Sequence, residues 1–204
     1  MPQITDVIKH LIILNVIVFL AASALPNFMP DLSLYFPASE QFRPYQLVTH
    51  MFMHGGIPHL AFNMLSLFFL GPYVENELGP QRFLLFYLLC GFGAMLAYLG
   101  IDYISYSQLV KVVDPSSMQE ILDEGRNVIL SGKNYTDANL AKLNEVLNVP
   151  VVGASGAIYG VTIAFATLFP NVKLQLLFIP FPVKAKYMVA GLLAYDLFMG
   201  SGHF

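Results

Sequence analysis

The sequence predicts an all-α fold, a polytopic membrane bundle of helices with about five spans, and composition and patterning carry that prediction. Of its 204 residues, 56% are hydrophobic and only 11% charged, against roughly 25% charged residues in ordinary soluble domains. Apolar runs recur along the chain, several of them near the ~18 residues that a hydrocarbon core of about 30 Å demands of a helix. Polar or proline-containing segments separate the runs. The formal net charge is −3 and the ten basic residues are scattered, so no electrostatic footprint for nucleic acid exists and the lipid bilayer is the implied partner. The single cysteine, Cys90, lies inside an apolar run, where it has no intrachain disulfide partner and is expected to pack.

The elements follow in order, and residues 1–204 read as a single membrane domain. Ile8 to Leu25 is the first span, read as a retained anchor rather than a signal peptide because no small-x-small cleavage site precedes Pro26. Pro26 to Pro58, with its mixed aromatics, prolines and glycines, suits a segment lying in the interface. The second span is expected from His59 to Tyr73; its polar start must be covered by protein or open to water. "VENELGPQR" is expected as a turn, and Phe83 to Tyr103 as the third span, with Gly91, Ala94 and Ala97 as a small-residue surface for close helix approach. From about 105 to 148 the chain turns polar and acidic, with Leu140, Leu143 and Leu147 at helical spacing. An extramembrane insertion of short helices is expected there. Val151 to Phe169 reads as the fourth span, stopped by Pro170-Asn171, and Tyr187 to Met199 as the fifth.

Orientation follows from the basic residues of the short loops. Lys9, Arg82, Lys173, Lys184 and Lys186 fall on one side and Arg43 on the other. The positive-inside rule then puts the N-terminus inside, in a cytoplasmic (inner) membrane, and the start of the fourth span toward the outer surface.

Polar side chains at membrane depth cost on the order of 1 to several kcal/mol when unpaired, so each asks for an explanation. Ser155 stands among Gly153, Gly156 and Gly160 in "GASGAIYG". It is either a nucleophile or a hydroxyl bonded to its own helix beside a glycine packing face. "HMFMHGGIPHLAFN" holds His50, His54, His59 and Asn63. His59 and Asn63 share a helical face. His50 and His54 have the spacing of helical zinc ligands, yet no Glu follows the first and no cysteine cluster is near, so metal binding is disfavoured. Glu75 and Glu77 with Arg82 read as a solvated loop, and Asp196 as an acid paired with a neighbouring helix. A serine nucleophile needs a base and oxyanion donors. His59, Asn63 and the backbone N–H of Ser155 at a helix start supply such donors.

With those elements in place, the sequence resembles the rhomboid family of intramembrane serine proteases. The similarity lies in "HMFMHGGIPHLAFNMLSLFFLG", "VENELGPQRFLLFYLLCGFGA", "GASGAIYG" and "FPNVKLQLLFIPFPVKAKY". The resemblance implies a rhomboid-like bundle of six spans that cleaves transmembrane protein substrates near the outer membrane surface, without metal or cofactor. It implies Ser155 as nucleophile, His59, Asn63 and Ser155 as the oxyanion hole, and Tyr159 packing beside the catalytic histidine, with Gly153 and Gly156 lining the site. The family's base is a histidine on the sixth span, in a setting such as G-x-x-x-A-H-x-x-G. This chain ends just after "AYDLFMGSGHF", and His203 lacks that setting and is not assigned as the base. The expectation is a fragment of a six-span enzyme rather than a natural short form. The competing reading is a catalytically inactive rhomboid-like protein that binds transmembrane segments; a channel or transporter ranks last, since Asp196 is almost the lone interior acid. Asn134-Tyr135-Thr136 also fits a glycosylation sequon.

Overall fold

The structure, a computed structural model, describes residues 3–25, 28–175 and 182–200, without the side chains of 196–200. His203 and the side chain of Asp196 therefore lie outside the described residues. The helices are α1 (Asp6–Ala24), α2 (Phe28–Leu32), α3 (Gln46–Thr49, running into a 3-10 turn over His50–Phe52), α4 (Ile57–Leu78), α5 (Pro80–Leu109), α6 (Pro115–Leu130), α7 (Ala138–Asn148), α8 (Ser155–Leu168) and α9 (Ala185–Gly200). A short antiparallel ladder, β1 (Lys173–Leu174) with β2 (Val183–Lys184), leads into α9. Helices α1, α4 and α5 are long and apolar enough to cross a membrane.

Helix α8 is the centre of the bundle, packed against α4, α5 and α9. It buries Ala157, Ile158, Val161, Thr162, Phe165 and Ala166, and Phe165 is fully enclosed. Its contact with α5 depends on glycines. A Cβ at Gly160 would lie 2.3 Å from Cys90 Sγ and 2.6 Å from Cys90 Cβ, one at Gly156 would lie 2.4 Å from Ala94 Cβ, and one at Gly91 would meet Met51. The missing side chains are what let the two helix backbones come together. At the other end of α8, Tyr73 of α4 stands edge-on to Phe165 and Phe169, at ring distances of 5.4 and 5.7 Å.

Several boundaries differ from the sequence reading. The fourth span does not start at Val151: that residue pairs with Leu34 in an isolated β-bridge, with N–H···O distances of 2.8 and 3.0 Å. Gly153 follows at φ +118, which a helix cannot contain, so α8 opens at Ser155. The second span is longer than His59 to Tyr73, because α4 continues through Pro72 to Leu78 and stops at Gly79, whose φ is +79. Glu75 is consequently not in a solvated turn. It lies on α4 with 4% exposure, and its carboxylate accepts a hydrogen bond from Thr5 at the foot of α1. Glu77 and Arg82 stay exposed. The polarity of "VENEL" suggested a loop, whereas burial of Val74 and a partner for Glu75 keep it helical.

Helix α5 likewise runs to Leu109, past the expected end at Tyr103. Its last turns join α6 and α7 in a second apolar core of Phe36, Leu109, Ile121, Leu143, Val146 and Leu147, with Leu99 and Tyr106 against it. Asp114 and Asp137 cap α6 and α7 by accepting backbone N–H bonds of 2.9 to 3.0 Å. The Asn134 side chain is used internally: it donates to the Ala141 carbonyl and Glu145 and accepts from Tyr135 N–H and Asn144.

The segment between α1 and α4 folds around Gln46, which is fully buried. Its Oε1 accepts from Tyr35 N–H (3.4 Å) and Arg43 N–H (3.1 Å), and its Nε2 donates to the carbonyls of Asp31 (3.1 Å) and Gln41 (3.0 Å). One side chain thus satisfies backbone groups that the irregular chain leaves without a ladder.

Two stability outcomes follow. Gly160→Ala should cost about 1–3 kcal/mol through overpacking against Cys90, read by denaturant titration in detergent. A Cys90→Gly background should recover about 1 kcal/mol or more of that cost as coupling energy, and strict additivity would refute the contact. Gln46→Leu, which strands several buried backbone groups at once, should destabilise by about 3 kcal/mol or more in the same assay.

Candidate active site

Ser155 is the first residue of α8, so its backbone N–H lies in the turn that has no intrahelical acceptor. The hydroxyl stands on a half-buried residue, and Tyr159, four residues on, shares its helical face. The glycines around it divide their duties. Gly156 and Gly160 face α5, as a packing stripe would. Gly153 does something else: at φ +118 it turns the chain into α8, and a Cβ there would lie 2.8 Å from both Cε1 and Nε2 of His59. The His59 ring therefore rests against the backbone two residues before Ser155.

His59 sits in the first turn of α4, and Asn63 follows one turn deeper on the same face. Asn63 is 6% exposed, and its Nδ2 makes no hydrogen bond among the described residues. A buried donor without an acceptor costs about 1–3 kcal/mol.

The remaining histidines of the motif hold this corner together. His50 donates from Nδ1 to the Gln46 carbonyl at 2.9 Å, and its own carbonyl accepts from Gly153 N–H at 2.9 Å. Gln46, His50 and Gly153 thus form one chain of contacts from the interfacial segment to the turn before Ser155. Burial lowers the pKa of His50. His54, 2% exposed, meets His59 edge-on with ring centroids 5.1 Å apart. Burial first, then the facing His59, push His54 down to about 4, so it is a neutral imidazole near pH 7. His50 lies in the 3-10 turn and His54 beyond its end, so the two do not stand one α-helical turn apart on a common helix.

The structure thus gathers Gly153, His59 and the N–H end of α8, and places Asn63 one turn below His59. It leaves Glu75 at the other end of α4, apart from this cluster. Two residues of consequence escaped the sequence reading, Gln46 and the partnership of His54 with His59. A signal for Gln46 existed: it precedes His50 by four residues, the spacing of one helical face.

A family model described as Rhomboid domain matches residues 41–203. RHOMBOID-like protein 12, mitochondrial, of Arabidopsis thaliana is 27% identical over 184 residues, covering 87% of this chain and 46% of that protein. Rhomboid protease GluP of Bacillus subtilis (strain 168) is 45% identical over 53 residues, 26% of this chain and 10% of that protein. Inactive RHOMBOID-like protein 8 of Arabidopsis thaliana is 36% identical over 62 residues, 30% of this chain and 18% of that protein. The chain spans less than half the length of these curated relatives. A family match running from the interfacial segment to the end of α9, on a bundle of apolar helices, identifies the chain as an integral, multi-pass membrane protein that belongs to the rhomboid family.

Proposed function

We propose that the chain carries the nucleophile and oxyanion hole of an intramembrane serine endopeptidase. The observation that carries this reading is the left-handed turn at Gly153 with the His59 ring seated on it, which sets a donor beside the free N–H end of the helix that begins with Ser155. In the proposed reaction Ser155 Oγ attacks a peptide carbonyl and its proton passes to a histidine outside the described residues. Negative charge gathers on the carbonyl oxygen. The Ser155 N–H, His59 and Asn63 Nδ2 stabilise it, and collapse of the tetrahedral intermediate returns the proton to the departing amine. The unpaired amide of Asn63 supports this assignment, since it gains its bond where charge develops.

Depth supports a membrane-protein substrate. Helix α5 has 30 residues, about 45 Å at 1.5 Å per residue. Gly156 faces Ala94, about 21 Å from the start of α5 by the same rise. The end of α5 that joins α6 and α7 packs in its own core, which supports a bilayer around the earlier part of the helix, with Ser155 beneath its surface. We place the N-terminus inside and the α6–α7 side outside, in line with the distribution of basic loop residues. Substrates are transmembrane segments that enter this cleft from the bilayer.

The test is labelling by a serine-reactive fluorophosphonate, with a reading frame extended beyond Phe204 where the natural gene allows. Labelling that disappears in Ser155→Ala supports the nucleophile; no labelling in the unaltered protein moves the assignment to a rhomboid-like binder of transmembrane segments. In cleavage of a transmembrane reporter, Asn63→Ala should lower kcat by about 10²–10³-fold with little change in KM, the signature of a lost oxyanion donor. An unchanged kcat removes Asn63 from the hole.

A further inference from the structure

A cavity of about 470 Å³ lies where the far end of α5 meets α7 and the α6–α7 loop. Its volume falls within the ~300–1,000 Å³ of small-molecule sites. The walls carry Tyr98, Asp102, Lys133, Asn134, Lys142 and Glu145, closed by apolar Ile129, Val146 and Val149. Asp102 is 7% exposed, bonded to the Tyr98 hydroxyl and facing Lys142. Glu145 and Lys133 stand exposed at the rim, with Glu145 held by Asn134. The walls thus bring together as many cations as acids.

Position and charge together select a ligand class. Asp102 follows Leu99, the first α5 residue packed against the α6–α7 core, by three residues, about 4.5 Å along the helix. With the bilayer around the earlier part of α5, as in the reading proposed above, the cavity lies in the headgroup layer, which occupies the outer ~5–8 Å of each leaflet. We propose that this cavity binds the headgroup of a phospholipid bearing a phosphate and a primary amine, with Lys133 toward the phosphate and Glu145 toward the ammonium, while Asp102, held by Tyr98 and Lys142, stays part of the wall. An anionic headgroup without an amine offers Glu145 no donor. A quaternary ammonium is served by a cage of aromatic faces, whereas this cavity has one aromatic ring, Tyr98, and carboxylates that ask for N–H donors. The site lies apart from Ser155, though the same short segment of chain runs from Val149 in its wall through Val151 to Gly153.

Native mass spectrometry of the detergent-solubilised chain tests this, with dioleoyl lipids carrying ethanolamine, choline or glycerol headgroups and soluble phosphoethanolamine as a fourth ligand. The ethanolamine lipid should bind about tenfold tighter than the other lipids, the scale of one or two added charge-assisted hydrogen bonds. Lys133→Gln and Glu145→Gln, both at exposed positions that leave the fold in place, should each erase most of that preference. Equal binding of the three lipids, preference for the glycerol headgroup, or indifference to both substitutions overturns the proposal. Binding of phosphoethanolamine without the lipid overturns it as well, in favour of a soluble phosphorylated amine.

Discussion

The close approach of α8 to α5 is the constraint on which the rest of this structure depends. Helix α8 has 14 residues, about 21 Å at 1.5 Å per residue, too short to cross a bilayer core of about 30 Å. Its N-terminus therefore ends inside the bundle, where lipid cannot satisfy free amide protons. Gly156 and Gly160 bring α5 near enough to shield it from that side, α4 covers another, and the aromatic cluster of Tyr73, Phe165 and Phe169 closes the far end. A helix with bulky residues at 156 and 160 would stand away from α5 and open the serine to lipid.

What covers the N-terminus of α8 from above is irregular chain, and irregular chain carries unpaired backbone groups. The structure solves this by concentrating their partners in Gln46 and passing the order along to His50 and Gly153. In a dry environment each of these bonds is stronger than it would be in water, and each broken one is dearer. The histidines fit the same logic. A charged His54 beside His59 would place a cation in a buried corner, and burial instead keeps it neutral.

Much of this was legible in the sequence, and the exceptions share a cause. Apolar runs located α1, α4, α5, α8 and α9 because the bilayer imposes length and hydrophobicity on any crossing helix. The candidate motif stood out because Ser155, His59 and Asn63 are polar residues where polarity is expensive. The errors came where a tertiary partner overrode local polarity. "VENEL" is helical because Thr5, seventy residues earlier in the chain, supplies a donor for Glu75. Val151 is extended because Leu34 pairs with it. Neither partner is visible in a local window. Gln46 was missed for a related reason: its four bonds go to backbone groups, which leave no trace in side-chain composition.

The polar stretch between α5 and α8 is the clearest case of a segment whose composition understates its role. Read alone, its acidic character suits a solvated appendage. In the fold it shares a core with Phe36 from the interfacial segment and Tyr106 and Leu109 from α5. Gly125 of α6 allows Asn144 of α7 to approach so closely that a Cβ would lie 2.3 Å from its Oδ1. Arg126 donates to the Gln41 side chain, while the Gln41 carbonyl accepts from Gln46. A displacement of α6 would thus strain the residue that organises the cover over Ser155, and the extended segment from Val149 to Gly153 ties α7 to the same turn. The helices α6 and α7 are therefore better understood as an extension of the wall that holds the site than as an ornament upon it, because the bonds that order the cover run through them.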